Sequence, residues 1–391
     1  MGKRQNERMR DIVSLIRCAP GVGHLSLSGG GMVLLHPNRR RLFLFNRSAH
    51  LLWRALRAGA GDCLSHILAS RYGLPMPVAQ RDADAIVARW IDDGLVSMDE
   101  TLGESDRVDP TAALRPSDVT PYRAYQYFRV GKLVFGVSAD AGFERAIAPL
   151  FSHLRVNADS SDVVCLAGKD GENGCFLVVD GQIIVERVEL HVAIGAFYYT
   201  ILQHLHPTAR WRATIHAGAV AMNGVAAILA APSGSGKSTL AAYLVTRDFE
   251  YLSDDLVPLR VEDNAVAPFP LPISVKPGAA PVLAPFYPLL DATASHGSQF
   301  LVGNADFLAP ARRAKALIFP RWIAGAATRF EPLSVQQALE LLLADRIHFG
   351  YPIEYETFSG FVRWLHGIAR HELIYSELRE AEHCIRQVLT T

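Results

Sequence analysis

The chain has 391 residues, 50% of them hydrophobic, and its 39 Lys and Arg balance 39 Asp and Glu to a formal net charge of zero. That length suits two or three domains of about 100–200 residues each, and the apolar content argues against extended disorder. Zero net charge leaves no global field to draw the chain onto nucleic acid or an anionic membrane, so neither is expected as a partner.

The concentrated basic stretches are local, Lys3 to Arg10 and Arg39-Arg40-Arg41. Five cysteines (Cys18, Cys63, Cys165, Cys175 and Cys384) are scattered with no pair at metal-ligand spacing, a usage that suits a reducing compartment. The first residues lack a signal-peptide pattern, and no apolar run reaches the roughly 18 residues of a membrane span. A soluble, cytoplasmic protein is the expectation.

Residues 1–105 read as a small winged-helix-like unit. Gly23 to Leu35 and Arg41 to Phe45 are strand candidates separated by His36-Pro37-Asn38. Asn46 suits the cap of a helix carrying Leu51, Leu52, Trp53 and Leu56. Two further helices come next, Asp62 to Tyr72 with Cys63, Ile67 and Leu68 on one side, and Ala79 to Asp93 with Ala83, Ile86, Val87 and Trp90. A short strand, Leu95 to Ser97, closes the unit. Residues 106–121 are polar and hold Pro110, Pro116 and Pro121, which predicts a linker.

Residues 122–210 form an α/β segment, either a domain of its own or the opening part of the next. Phe128 to Val137, Asp162 to Leu166 and Cys175 to Val179 are strand-like. Asp180-Gly181 signals a hairpin into Gln182 to Val185, and Leu190 to Leu205 has helical spacing. Residues 211–391 are α/β in pattern: a strand from Ala226 to Ala230, a glycine turn, a helix from Lys237 to Leu244, a strand from Phe249 to Leu252, a strand from Ala314 to Phe319, and helices over Val335 to Ile347 and Phe361 to Ala369. No internal repeat is visible.

The chemistry concentrates at Ser233-Gly234-Ser235-Gly236-Lys237-Ser238-Thr239. A strand running into a glycine turn and then a helix aims several backbone N–H groups at one point, where the helix dipole adds positive potential. This is the arrangement of a phosphate loop binding a nucleoside triphosphate, here ATP with magnesium. Lys237 would reach the β and γ phosphates and Ser238 would ligate the metal. Ala231 stands where the usual pattern begins with glycine. Asp254 and Asp255 end a strand, where α/β sheets present reactive groups. Neighbouring carboxylates on extended backbone point to opposite sides, so one could serve the metal and the other an attacking hydroxyl; an acidic surface turn is the alternative. His216, before Gly218, could bond an aspartate or a phosphate, or be an ordinary core histidine. Lys276 and Arg321 are candidate phosphate or substrate contacts, or plain surface charges.

Ile215-His216-Ala217-Gly218, the glycine turn and Ser253-Asp254-Asp255 together resemble the HPr kinase/phosphorylase family in order and spacing. The resemblance implies a P-loop catalytic domain in which Asp254 is the catalytic base, Asp255 the second acid and magnesium ligand, and His216 the histidine paired with the active-site acid. It implies transfer of phosphate to a serine hydroxyl of a protein or peptide, including ribosomally made peptide precursors, and relatives of this kind form homo-oligomers. The glycine- and arginine-bearing signature of the reverse, phosphorolytic reaction is missing, which points to simple kinase activity.

The front unit resembles PqqD-type peptide-recognition domains through Leu44-Phe45-Asn46-Arg47-Ser48-Ala49, Trp53 and Trp90-Ile91-Asp92-Asp93-Gly94-Leu95-Val96. That likeness implies capture of a leader peptide as an added strand. A packing-only domain, or one touching DNA through Arg39 to Arg41, is the alternative. For the whole chain, a nucleotide-dependent regulatory module and a small-molecule kinase are the competing readings.

Overall fold

The computed structural model describes residues 17–19, 22–27, 30–36, 41–97, 122, 124–170, 174–269, 271–293, 296–301, 309–344, 347–348 and 355–391. The linker expected at 106–121, the first basic stretch and Arg39-Arg40 lie outside these residues. The fold is mixed α/β with several sheets. The chain divides into two compact units, one of residues 1–110 with 334–340 and 350–359, the other of residues 111–333 with 341–349 and 360–391. Among the described residues, no helix is long and apolar enough to cross a membrane.

In the first unit, three antiparallel strands, Gly23–Ser26, Met32–His36 and Arg41–Phe45, form one sheet with Met32–His36 at its centre. The single strand expected over Gly23 to Leu35 is therefore two, because a turn intervenes in which Gly30 N–H bonds to Leu27 O at 3.1 Å and Leu27 N–H to Gly31 O at 2.9 Å. Asn46 caps the Arg47–Arg57 helix by accepting from Ala49 N–H at 2.9 Å. That helix buries Leu52, Trp53 and Leu56, the 3–4 spacing expected of one apolar stripe.

The next helix begins as a 3₁₀ turn, Gly61–Cys63, before Leu64–Tyr72. The tighter turn shifts the phase, so Leu64, Ser65 and Leu68 are buried while Cys63 is exposed, contrary to the expected stripe. The Met76–Asp92 helix buries Ala79, Ala83, Val87 and Trp90. Phe45, Trp53 and Trp90 then meet in one aromatic cluster. Phe45 stacks on Trp90 at 5.1 Å, and Trp53 stands edge-on to both at 5.7 and 5.3 Å.

Among the described residues the second unit holds two large sheets and a two-stranded one, Ile273–Val275 with Gln299–Leu301. The first has six strands, ordered Gln182–Val188, Gly174–Val179, Val163–Asp170, Leu133–Ala139, Gln126–Val130 and Arg155–Val156. Asp180 and Gly181 both take positive φ, 47° and 76°, in the hairpin turn, the geometry that matches strand twist. Two helices, Ala141–Phe151 and Leu190–Leu205, cover this sheet. Its core includes Phe143, Phe151 and Phe197 and continues without a break into Trp211, Leu256, Phe269 and Leu271. Residues 122–210 thus share a core with the residues of the 211–391 segment.

The second sheet has ten strands and a mixed pattern. The Leu378–Thr390 helix packs behind it, burying Ala381, Ile385 and Leu389. Glu382 on this helix is 7% exposed. It accepts from Arg247 Nε at 3.2 Å and from an Arg386 terminal nitrogen at 2.9 Å. Arg386 also donates to Arg247 O and lies over the Phe249 ring. A buried carboxylate between two cations leaves both short of a partner when it is removed. Glu382→Ala should therefore destabilise the protein by about 1–3 kcal/mol, the lower part of that range reflecting the half-exposed arginines. Urea unfolding measures this, and an unchanged midpoint would show that the cluster is ornamental.

Candidate functional site

Strand direction brings the site together. The Val225–Leu229 strand leads into the glycine turn and pairs antiparallel with Gly218–Met222, which pairs antiparallel with Glu250–Ser253. Two reversals restore direction, so the strands preceding the turn and preceding Asp254 end at the same edge of the sheet. Gly218 faces Leu229 and Ala219 faces Ser253 in register. His216 therefore enters from the loop at that same edge. On the other side, Arg312–Trp322 runs parallel to Val225–Leu229, and Ala369–Tyr375 parallel to Arg312–Trp322. Their carboxyl ends reach the same edge too, the side of an α/β sheet where ligands bind.

The turn has the backbone its composition calls for. Gly234 and Gly236 both sit at φ 92°, where a side chain is strained. A Cβ on Gly236 would also lie 2.6 Å from the Tyr375 hydroxyl and 3.0 Å from Trp322 Cβ. Gly236 caps the Lys237–Val245 helix, whose first N–H groups have no partner inside the helix; Lys237, Ser238 and Thr239 occupy that first turn. Three anchors hold the turn. Lys276 Nζ donates to Ser233 Oγ at 2.7 Å, Trp322 N–H to Ser235 O at 2.9 Å, and the Tyr375 hydroxyl to Gly236 O at 3.2 Å. The Ser235 hydroxyl is buried without a hydrogen-bond partner among the described residues.

Lys237 is 5% exposed, and its ammonium lies 3.7 Å from Asp255 Oδ1 and 3.3 Å from His216 Nε2. His216 Nε2 is in turn 3.3 Å from Asp255 Oδ1. Asp255 does not continue the extended backbone expected of it. Its φ is 66°, left-handed, and this turns the two carboxylates into different surroundings. Asp255, 40% exposed, faces Lys237 and His216.

Asp254 is fully buried. One of its oxygens receives the Ser274 N–H at 3.4 Å, and the other, Oδ1, has no hydrogen-bond partner among the described residues. Oδ1 packs against Gly218, where a Cβ would come within 3.3 Å of it.

These surroundings split the pair. Burial first, then the charge of Asp255, push Asp254 up to about 6, against the opposing pull of Lys237, Ser238 and the Ser274 N–H. Burial would raise Asp255 as well, but the His216 hydrogen bond and the Lys237 charge outweigh it and hold it below the usual carboxylate range. Two carboxyls driven apart in this way suit an acid–base role for one and a cation-holding role for the other.

Of the residues singled out from sequence, His216, Ser238, Asp254 and Asp255 gather around Lys237, and Lys276 reaches the turn. Arg321 instead pairs with Glu372 on the next strand at 3.4 Å. Ser274, Trp322 and Tyr375 join the site without a comparable signal in the sequence. The only sequence signal for Trp322 is its place beside Arg321 at a strand end, and Tyr375 ends an apolar run, Leu373-Ile374-Tyr375, that comes after a helix.

A family model described as "Coenzyme PQQ synthesis protein D (PqqD)" matches residues 31–96. The match covers the Met32–His36 and Arg41–Phe45 strands, the three helices that follow and the aromatic cluster, and leaves the Gly23–Ser26 strand and the rest of the chain outside it. No curated protein matches the chain. Among solved structures, the Hpr(Ser) kinase/phosphatase from Coxiella burnetii is similar at 13% identity over 44% of this chain and 88% of that one, with a TM-score of 0.19. A score so low carries no argument about fold.

The raised Asp254 makes a stability prediction. A carboxyl that binds its proton more tightly when folded costs nothing below its unfolded value of 3.8, and the full amount above about 6. Folded stability therefore falls as pH rises through that window. Asp254→Asn removes the charge, and should stabilise the protein by up to roughly 3 kcal/mol near neutral pH. The gain should shrink toward zero at about pH 4. Thermal unfolding at both pH values checks it; a loss of stability at neutral pH would contradict the burial argument.

Proposed function

We propose that the protein is an ATP- and magnesium-dependent kinase that phosphorylates a hydroxyl, that of serine, on a peptide or small protein recruited by its N-terminal unit. The observation that carries this reading is the juxtaposition of a glycine turn, a buried lysine and two carboxyls of opposite tendency at one sheet edge. The resemblance of the His216, turn and Asp254-Asp255 motifs to HPr kinases supports the reaction type, and the PqqD match at residues 31–96 supports a peptide as partner.

The residues present fit the ligand. The phosphate chain would lie on the turn amides of residues 233–239, with Lys237 exchanging its carboxylate partner for phosphate oxygens, and Lys276 would stand at the rim. Ser238 and Asp255 would hold magnesium. Among the described residues no group of three His, Cys, Asp or Glu side chains is placed to hold a metal ion, so the ion would rely on water and phosphate for its remaining ligands, as magnesium commonly does. Bound ATP would supply the phosphoryl group and magnesium the countercharge.

Asp254 is the group this reading assigns to the acceptor. Its orphaned oxygen accepts the hydroxyl proton as the hydroxyl oxygen forms its bond to phosphorus and the bridging oxygen of the departing diphosphate takes the electron pair. A carboxyl that retains its proton up to about 6 is a stronger base than an ordinary aspartate, and positioned general bases contribute about 10²–10⁴-fold. His216 positions Asp255 beside Lys237. The N-terminal unit would raise the local concentration of the acceptor, and its outer strands, Gly23–Ser26 and Arg41–Phe45, would offer main-chain hydrogen bonds to an extended peptide.

Titration calorimetry with Mg-ATP, and mass spectrometry of a candidate peptide after incubation with labelled ATP, test the proposal. Lys237→Ala should lose nucleotide affinity. Asp254→Asn should keep affinity within a few-fold while transfer falls by at least about 100-fold. Near-normal transfer in that variant would sink the assignment. Nucleotide binding with no phosphorylated product from any peptide offered would favour a regulatory module. A third expectation concerns pH: Asp254 acts only when deprotonated, so the transfer rate should fall about tenfold per pH unit below a limb near 6, and a flat profile would exclude it as the base.

A further inference from the structure

On the far side of the glycine turn from the carboxylates stands a side chain with no evident structural reason to be exposed. Trp322 ends the Arg312–Trp322 strand and is 52% exposed. Its main chain is fastened to the turn through N–H to Ser235 O at 2.9 Å, and its Cβ presses on the space beside Gly236. Its indole N–H donates to Ser376 O at 3.1 Å, which fixes the ring by one edge. Ile323, 39% exposed, comes next, its N–H bonded to Tyr375 O at 2.9 Å. A large apolar side chain left half in water forgoes the stabilisation that burial brings.

We propose that Trp322 is the platform on which the base of the bound nucleotide stacks. The inference rests on the phosphate-loop reading and adds a direction to it. Phosphoryl transfer requires the attacking oxygen and the leaving oxygen to lie roughly in line on opposite sides of the transferred phosphorus. Asp254, on the Glu250–Ser253 side of the turn strand, marks the acceptor's side. The nucleoside therefore leaves the loop toward the opposite side, where the parallel strands Arg312–Trp322 and Ala369–Tyr375 end. Trp322 is the exposed aromatic at that end, held within contact of the turn itself.

Among the described residues, three polar groups near the ring are engaged elsewhere: Arg321 with Glu372, the Ser376 carbonyl with the indole, and the Ser376 hydroxyl with Gly325 N–H at 3.1 Å. A base held by its face and not read along its edges is selected weakly, because every base has a π-face. The platform should accept adenine and guanine alike.

The test compares a nucleotide with a ligand that has phosphates and no base. Mg-ATP, Mg-GTP and inorganic tripolyphosphate with magnesium are titrated calorimetrically into the full-length protein, wild type, Trp322→Ala, Trp322→Phe and Lys237→Ala. Trp322→Ala should weaken ATP and GTP on the order of tenfold and leave tripolyphosphate unchanged. Trp322→Phe, which keeps a ring, should retain most of the affinity, and it guards against a mere folding defect. Equal weakening of ATP and tripolyphosphate in Trp322→Ala, or no weakening of ATP, overturns the platform. Tripolyphosphate binding that Lys237→Ala abolishes would leave the phosphate loop standing even then. Failure of the wild type to bind either ligand removes the loop reading and the platform with it.

Discussion

A lysine only 5% exposed carries its charge out of water, a cost that an anion beside it offsets, and the site is organised around that pairing. Lys237 opens a helix and points into the sheet edge, where Asp255 meets it at 3.7 Å. To reach it, Asp255 adopts φ 66°, a conformation open to aspartate at modest cost and to most residues at a greater one. Asp254, one residue earlier, is thereby left facing inward. The charge that satisfies Lys237 is also the charge that helps to raise Asp254. The Asp255 charge thus adds to burial, the larger cause, in raising Asp254, and the two carboxyls could not exchange surroundings without reversing the turn that separates them.

The parts of this arrangement that are legible in the sequence share a property: each is encoded by residues close together in the chain. The glycine turn, its lysine and the preceding strand lie within about fifteen residues, and their spacing states the geometry directly. Asn46 as a cap and Asp180-Gly181 as a hairpin are likewise local. The hidden parts depend on partners far away. Trp322 and Tyr375 reach the turn from strands that lie more than eighty residues downstream, and no periodicity announces such a meeting.

The Ala141–Phe151 helix is also hard to read in the sequence, although Asp140 caps it through Gly142 and Phe143 N–H; Gly142 and Pro149 weaken its helical signature. Within the Asp62 to Tyr72 helix the sequence pattern is sound but its phase is not, because a 3₁₀ start displaces the buried face by part of a turn.

The residues that carry the PqqD likeness do different work from those around Lys237. Phe45, Trp53, Trp90, Leu95 and Val96 are all buried, and Asn46 is a helix cap. The motif is therefore a signature of how the unit packs, with three aromatic rings in mutual contact as its centre. If the unit binds a peptide as proposed, selectivity would come from residues other than these buried ones, along the Gly23–Ser26 and Arg41–Phe45 strands and the helix faces beside them. A short recognisable pattern can thus identify the kind of surface without stating what the surface prefers.

The glycine turn is held by contacts within the protein. Lys276 fastens Ser233, Trp322 fastens Ser235 and Tyr375 fastens Gly236; Lys276 follows the Ile273–Val275 strand, and the other two end strands of their own. Ordering a flexible loop on binding costs roughly 1–2 kcal/mol of backbone entropy per residue, so a turn already tied at three points spends little of its affinity on closing. The same ties restrict which residues fit: Gly236 has neither the φ nor the space for a side chain, whereas a Cβ on Gly234 meets nothing within 4 Å. On the proposed reading, preorganised donors of this kind would stabilise developing charge without having to reorient, beside a carboxyl whose burial raises its proton affinity.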